Sequence, residues 1–184
     1  MSPLQAPPAF RLPAALLSQG FVLRPETDDD TPFLMQLYAS TREDELAPIP
    51  WTAEQKQVFL SSQFQAQRHH YRRYFPACAF DVIERRGVAV GRLYLDRLDS
   101  WLRVIDIALL PASRRQGVGT AIIEALQAEA RASGRGINMF VERFNPALKL
   151  YRRLGFTDVT DHQVHLEIEW RPETMPARQL NVAQ

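Results

Sequence analysis

Two short segments hold most of the residues whose type and spacing can do chemistry. The first runs Ile107-Ala108-Leu109-Leu110-Pro111-Ala112-Ser113-Arg114-Arg115-Gln116-Gly117-Val118-Gly119-Thr120. An apolar strand feeds a basic loop with two glycines, and the loop becomes a helix N-terminus. The first N–H groups of a helix have no intrahelical partners, and the helix dipole places partial positive charge there, so the segment reads as an anion cradle. Gly117 and Gly119 let a ligand approach the backbone closely, Arg114 and Arg115 add charge, and the natural guest is a phosphate or pyrophosphate. A nucleotide P-loop needs Gly-Lys-Ser/Thr, but Gly119 is followed directly by Thr120. A dinucleotide fingerprint fails as well, because Ile122 stands where a third glycine belongs and no acidic residue ends the next strand at the right distance. On its own, the segment also reads as a glycine-containing turn with solvated arginines.

The second segment is Asn145-Pro146-Ala147-Leu148-Lys149-Leu150-Tyr151-Arg152-Arg153-Leu154-Gly155-Phe156. Asn145-Pro146 opens a short helix, Leu148, Tyr151 and Leu154 line it, and Gly155 ends it. Asn145 reads as a ligand-binding amide or as a helix cap, and Tyr151 as a working hydroxyl or as core. Asp106 interrupts the apolar strand. Such an acid is costly unless it is paired, with Arg103 or another arginine, or faces a site, where desolvation raises its pKa. Glu142 is the second carboxylate of interest. Glu43, Asp44 and Glu45 with Trp51 read either as a surface for a cationic group or as a solvated charge run. His69 and His70 diverge by about 100° on a helix and do not chelate one metal easily. His162 and His165 lack partners at metal-site spacing, so no metal is expected.

The elements that position these residues follow from periodicity. Phe21-Val22-Leu23 is a short strand. Asp28-Asp29-Asp30-Thr31-Pro32 starts a helix with Phe33, Leu34, Leu37 and Tyr38 on its apolar stripe. Thr52 and Gln55 form a capping box for a second helix, running to about Tyr71. Residues 79–83 and 88–95 are strands joined at Arg85-Arg86-Gly87, and 102–110 is a third, almost continuously apolar strand of the kind covered on both faces. A helix from about Gly117 to Ser133 stops at Gly134. A strand at 137–141, the short helix after Asn145 and a strand at 164–170 complete the order. This is a mixed α/β sheet covered by helices, not an alternating doubly wound fold. Residues 1–20 read as an irregular N-terminal arm, 21–170 as one domain and 171–184 as a polar C-terminal tail.

Together, in order and at this spacing, the two segments resemble the GNAT superfamily of N-acetyltransferases. Arg114-Arg115-Gln116-Gly117-Val118-Gly119 is similar to its Gln/Arg-x-x-Gly-x-Gly/Ala pyrophosphate loop, and the Asn…Leu-Tyr-x-x-Leu-Gly-Phe run to its following asparagine and tyrosine helix. The resemblance implies a central, mostly antiparallel sheet splayed at the cofactor-binding strand, with helices on both faces. It also implies acetyl-CoA as co-substrate and an unidentified primary amine, on a small molecule or protein, as acceptor, attacking directly in a ternary complex. On this reading Ile107, Ala108 and Leu109 pair with the pantetheine arm like an added strand. The N–H groups of Arg115, Gln116, Gly117, Val118, Gly119 and Thr120 hold the pyrophosphate, with Arg114 adding charge, and Asn145 bonds the arm. A backbone N–H near Leu109 polarises the thioester carbonyl, Tyr151 protonates the departing thiolate, and Asp106 is the candidate base with Glu142 behind it. A CoA-binding sensor or interaction module that has lost catalysis is the rival reading.

Composition supplies the outer bounds. The chain has 184 residues, 46% hydrophobic and 23% charged, as a globular protein with a real core requires. A net charge of +1 gives no global attraction to nucleic acid or membrane. The apolar patch at Leu12–Leu17 is too short to span a bilayer and lacks signal-peptide organisation. One cysteine, Cys78, excludes a disulfide within the chain. A cytoplasmic monomer or homodimer is the expectation.

Overall fold

A computed structural model describes residues 10–175. In chain order it contains α1 (Ala14–Leu17), β1 (Phe21–Pro25), a 3-10 turn (Asp28–Asp30), α2 (Thr31–Thr41), α3 (Glu43–Leu46), α4 (Ala53–Tyr74), β2 (Ala79–Arg85), β3 (Val88–Arg97) and β4 (Trp101–Leu109). A 3-10 turn (Pro111–Ser113), α5 (Val118–Ser133), β5 (Gly136–Glu142), α6 (Leu148–Arg153), β6 (Thr157–Asp161) and β7 (His165–Trp170) follow. The strands form one seven-stranded sheet in the order β1-β2-β3-β4-β5-β7-β6. Every neighbouring pair is antiparallel except β4 with β5. This is the mixed, mostly antiparallel sheet expected.

Helices cover both faces. On the first face Phe21, Ile83, Leu93, Leu95, Leu102 and Val104 form one core with Val118, Ile122, Ile123 and Leu126 of α5. Helix α5 starts at Gly117 without a side-chain cap. A missing cap forgoes roughly 1 kcal/mol, whereas burying each Val, Leu or Ile contributes about 1.5–3 kcal/mol, so packing decides that α5 forms. On the second face Leu34 and Tyr38 of α2 meet Phe64 of α4. The capping box that starts α4 is present: Gln55 N–H donates to Thr52 Oγ1 at 3.2 Å and Thr52 N–H to Gln55 Oε1 at 2.8 Å.

The sheet opens where β4 leaves β5. Pairing between them runs only from Trp101↔Gly136 to Val104↔Met139. Beyond it β4 stays with β3 and β5 stays with β7, so the strands diverge into a cleft. The cause lies in β4. Leu95 pairs with Val104 and Tyr94 with Asp106, leaving Ile105 as an extra residue. Such a bulge bends a strand and increases its twist. The expected splay is therefore present.

Three expectations need correcting. Residues 10–20 are not an irregular arm: α1 lies there, and Phe10, Leu12 and Leu16 are buried in the first-face core. The prolines hid them, but a first-turn helix tolerates a preceding Pro13. Strand β6 and helix α3 also escaped the periodicity reading, because β6 is exposed at nearly every position and α3 is a single turn. Residues 1–9 and 176–184 of the expected arm and tail lie outside the described residues. Among the described residues no helix is long and apolar enough to cross a membrane.

The acidic run before α2 does more than favour its dipole. Arg24 donates to both oxygens of Asp30, at 2.6 and 2.8 Å, and to Glu84 at 2.6 Å. The Arg24 hydrogen bond holds the Asp30 carboxyl well below the usual carboxylate range, against the effect of burial. A carboxylate whose folded pKa is depressed contributes stability above its unfolded pKa of about 3.9, and that contribution fades as pH falls. Asp30→Asn is accordingly expected to melt below the parent at pH 7, with the two melting temperatures converging as pH drops below about 4.

Candidate active site

The loop after β4 has the backbone of an anion site. Arg115 (φ 59) and Gly117 (φ 80) are both left-handed. For a residue with a Cβ such as Arg115 this costs about 1–2 kcal/mol. Arg114 before them is extended (φ −76, ψ 160), and α5 begins at Val118 directly after Gly117. Among the described residues the N–H groups from Arg115 through Thr120 have neither a backbone nor a side-chain acceptor; the helical ladder begins with Ala121 N–H on Gly117 O. Among the described residues, a Cβ on Gly117 or Gly119 meets no atom within 4 Å beyond the adjoining residues and the backbone of its own helix. Free donors around open space fit a pyrophosphate.

The loop side chains serve the loop more than the cradle. Arg114 Nε donates to Leu109 O at 2.7 Å, and its terminal nitrogen reaches the carbonyl and hydroxyl of Ser40 at 3.2 and 3.1 Å. Gln116 folds back onto Ala112 O at 2.6 Å. Arg114 thus pins the loop to the C-terminal turn of α2, a contact that spacing along the chain does not reveal.

On β4 the register sorts the predicted residues. Leu110 N–H bonds Val90 O at 2.8 Å, so by ladder alternation Ala108 and Asp106 turn their backbones to β3. Ile107 and Leu109 turn theirs to the cleft, and Leu109 O is already taken by Arg114. Ala108 lines the second face with its side chain instead.

Asp106 sits just past the bulge and carries the ion pair that the sequence leaves open, with Arg92 rather than Arg103. Arg92 donates to Asp106 Oδ2 at 2.7 Å, and Tyr71 OH donates to the same oxygen at 3.2 Å. Oδ1 has no protein donor among the described residues. Arg103 faces Asn138 instead, at 3.4 Å. Glu142 is engaged by Arg42 at 2.6 Å, so residues Ser40 and Arg42 tie α2 to both lips of the cleft.

Tyr151 is buried, with its ring against Phe156 at 5.8 Å. Burial, with the Asp106 carboxylate adding to it, pushes its pKa up to about 12. The hydroxyl therefore keeps its proton at neutral pH, and Asp106 and Tyr151 share one electrostatic neighbourhood. No protein acceptor takes that proton among the described residues. Asn145 Oδ1 accepts from Ala147 N–H at 2.9 Å, making a turn before α6 rather than its cap; the helix itself begins at Leu148, after Ala147. Arg152 pairs with Asp158 at 2.8 Å. Glu43 lines a cavity of about 460 Å³ between α2, α3 and α4, while Trp51 stacks edge-on with Phe59 at 5.2 Å. Among the described residues no group of three His, Cys, Asp or Glu is placed to hold a metal.

With this geometry, residues 76–158 match the model of the acetyltransferase (GNAT) domain family. The match contains β2 to α6, hence the cradle, Asp106, Asn145 and Tyr151. The fold agrees. The PaiA N-acetyltransferase of Thermoplasma acidophilum, solved in complex with coenzyme A, superposes with a TM-score of 0.62 at 13% identity, over 83% of this chain and 99% of that one. Ard1 of Thermoplasma volcanium gives 0.54 at 17% identity (83% and 97% covered), and an acetyltransferase of Thermus thermophilus gives 0.57 at 18% (83% and 97%).

Proposed function

We propose that the protein transfers an acetyl group from acetyl-CoA to a primary amine within a ternary complex. The observation that carries this reading is the run of unpartnered N–H groups from Arg115 to Thr120 around open space, at the end of a splayed strand. The coenzyme A bound to the PaiA neighbour supports the choice of donor. The cradle holds the pyrophosphate, Ile107 and Leu109 offer backbone groups to the pantetheine arm, and Asn145 borders it. A cleft-facing N–H at Ile107 or Leu109 polarises the thioester carbonyl.

A lysine-like ammonium has a pKa near ~10.4 in water and must lose a proton before it attacks. Asp106 takes that proton through Oδ1. The N–C bond forms at the carbonyl carbon as the C–S bond breaks. Tyr151 gives its proton to the leaving sulfur and regains one from the new amide nitrogen. The products are the acetylated amine, free thiol and one proton released through Asp106.

Ligand binding to the folded state raises stability by mass action. Millimolar acetyl-CoA is expected to raise the melting temperature, and no shift would remove the donor assignment. Thiol release from acetyl-CoA across amino acids, polyamines, aromatic amines and peptide N-termini then identifies the acceptor. Binding without turnover on every amine would favour the sensor reading over the enzyme.

A further inference from the structure

Arg92 is an expensive residue where it stands. Its side chain is 4% exposed, and its Nε is buried without a partner among the described residues. A buried ion pair is often no better for stability than an apolar pair of similar volume, so stability does not explain this one. What the pair does is fix a carboxylate. One terminal nitrogen of Arg92 donates to Asp106 Oδ2 at 2.7 Å and to Gln67 Oε1 of α4 at 2.9 Å. Tyr71 of α4 donates to that same Oδ2 at 3.2 Å. Its ring stands perpendicular to Tyr94 at 6.0 Å and edge-on to Phe75 at 6.3 Å, so aromatic packing holds its hydroxyl in place. Burial, with Asp106 adding to it, raises the Tyr71 pKa far above the ordinary phenol value, which keeps it a donor. Two donors from different elements thus occupy one oxygen of Asp106 and, among the described residues, none occupies the other.

We propose that Arg92 and Tyr71 are positioning residues, clamping Asp106 Oδ2 from β3 and α4 so that Oδ1 faces the acceptor amine. The proposal rests on the reading of Asp106 as the base. A carboxylate with one fixed oxygen loses the freedom to turn about its last torsion, and alignment of a base with its proton is a large part of its effectiveness.

The test is a double-mutant cycle, read with acetyl-CoA and the amine turned over fastest in the panel above. Asp106→Asn is expected to lower kcat about tenfold. Tyr71→Phe, which keeps the ring and its packing, is expected to lower kcat about fivefold and leave the KM for acetyl-CoA unchanged. In the Asp106→Asn background, Tyr71→Phe should change kcat by less than about twofold, because the group it positions is already gone. Arg92→Gln is read in that same background, where no carboxylate is stranded, and should likewise be near neutral. If the two losses multiply instead, Tyr71 acts independently of Asp106 and the clamp is overturned. Full kcat in Tyr71→Phe beside a fall in Asp106→Asn overturns the clamp and leaves the base standing. Full kcat in Asp106→Asn, or turnover of no amine at all, removes the base reading and the clamp with it.

Discussion

Gly119→Val is expected to fold as the parent does and to bind coenzyme A about 100-fold more weakly, or worse, a loss of roughly 2.7 kcal/mol. The two halves of this result have separate causes. Among the described residues a Cβ at Gly119 meets no atom within 4 Å beyond the adjoining residues and its own helix backbone, and its φ is not in the left-handed region, so the chain accommodates the side chain. Valine is also a better helix former than glycine, so α5 does not suffer. The same space lies against the free N–H groups at the start of α5, where a pyrophosphate must come close to the backbone. Gly117 offers no equally clean test, since its φ of 80 would strain any side chain. Calorimetric titration with coenzyme A, beside a melting curve without it, separates folding from binding. Unchanged affinity in a folded Gly119→Val protein would place the anion on another surface.

Tyr151→Phe is expected to lower kcat by roughly tenfold to a hundredfold, with water recovering part of the 10²–10⁴ that positioned proton transfer typically contributes. The KM for acetyl-CoA should hardly move. Phenylalanine keeps the ring against Phe156 and the packing of α6 on the core. The hydroxyl has no protein partner among the described residues, so its removal should change stability by less than one hydrogen bond, ~1 kcal/mol. With a pKa raised to about 12, the parent hydroxyl carries its proton throughout the neutral range, as a donor to a thiolate requires. A variant with full kcat and a lower melting temperature would make Tyr151 a core residue.

What was legible in the chain was local. The capping box of α4, the glycines around α5 and the apolar stripe of α6 each announce themselves within a few residues. Partners distant in sequence did not. Arg103 is the arginine nearest to Asp106 along the chain, yet the ion pair goes to Arg92, one strand over, because the β3–β4 register sets Arg92 diagonally across from Asp106. Arg114 looks like cradle charge until the fold brings Ser40 within reach. Asn145 looks like a helix cap, but Pro146 and Ala147 form a turn that delays α6. Helix α1 was masked by Pro7, Pro8 and Pro13, although Phe10, Leu12 and Leu16 supply buried side chains.

The extra residue at Ile105 turns β4 into a matter of parity. Counting by twos from Leu102 and Val104, which lie in the first-face core, would carry Asp106 and Ala108 into the same apolar layer and push Ile107 and Leu109 under α4. The skipped residue shifts odd to even. It returns Ile107 and Leu109 to the core and hands the carboxylate to the opposite side, at the point where the partner strand departs. A single position in the count therefore separates an acid buried in an apolar layer from one at a cleft, and an uninterrupted sheet from one with a doorway in it.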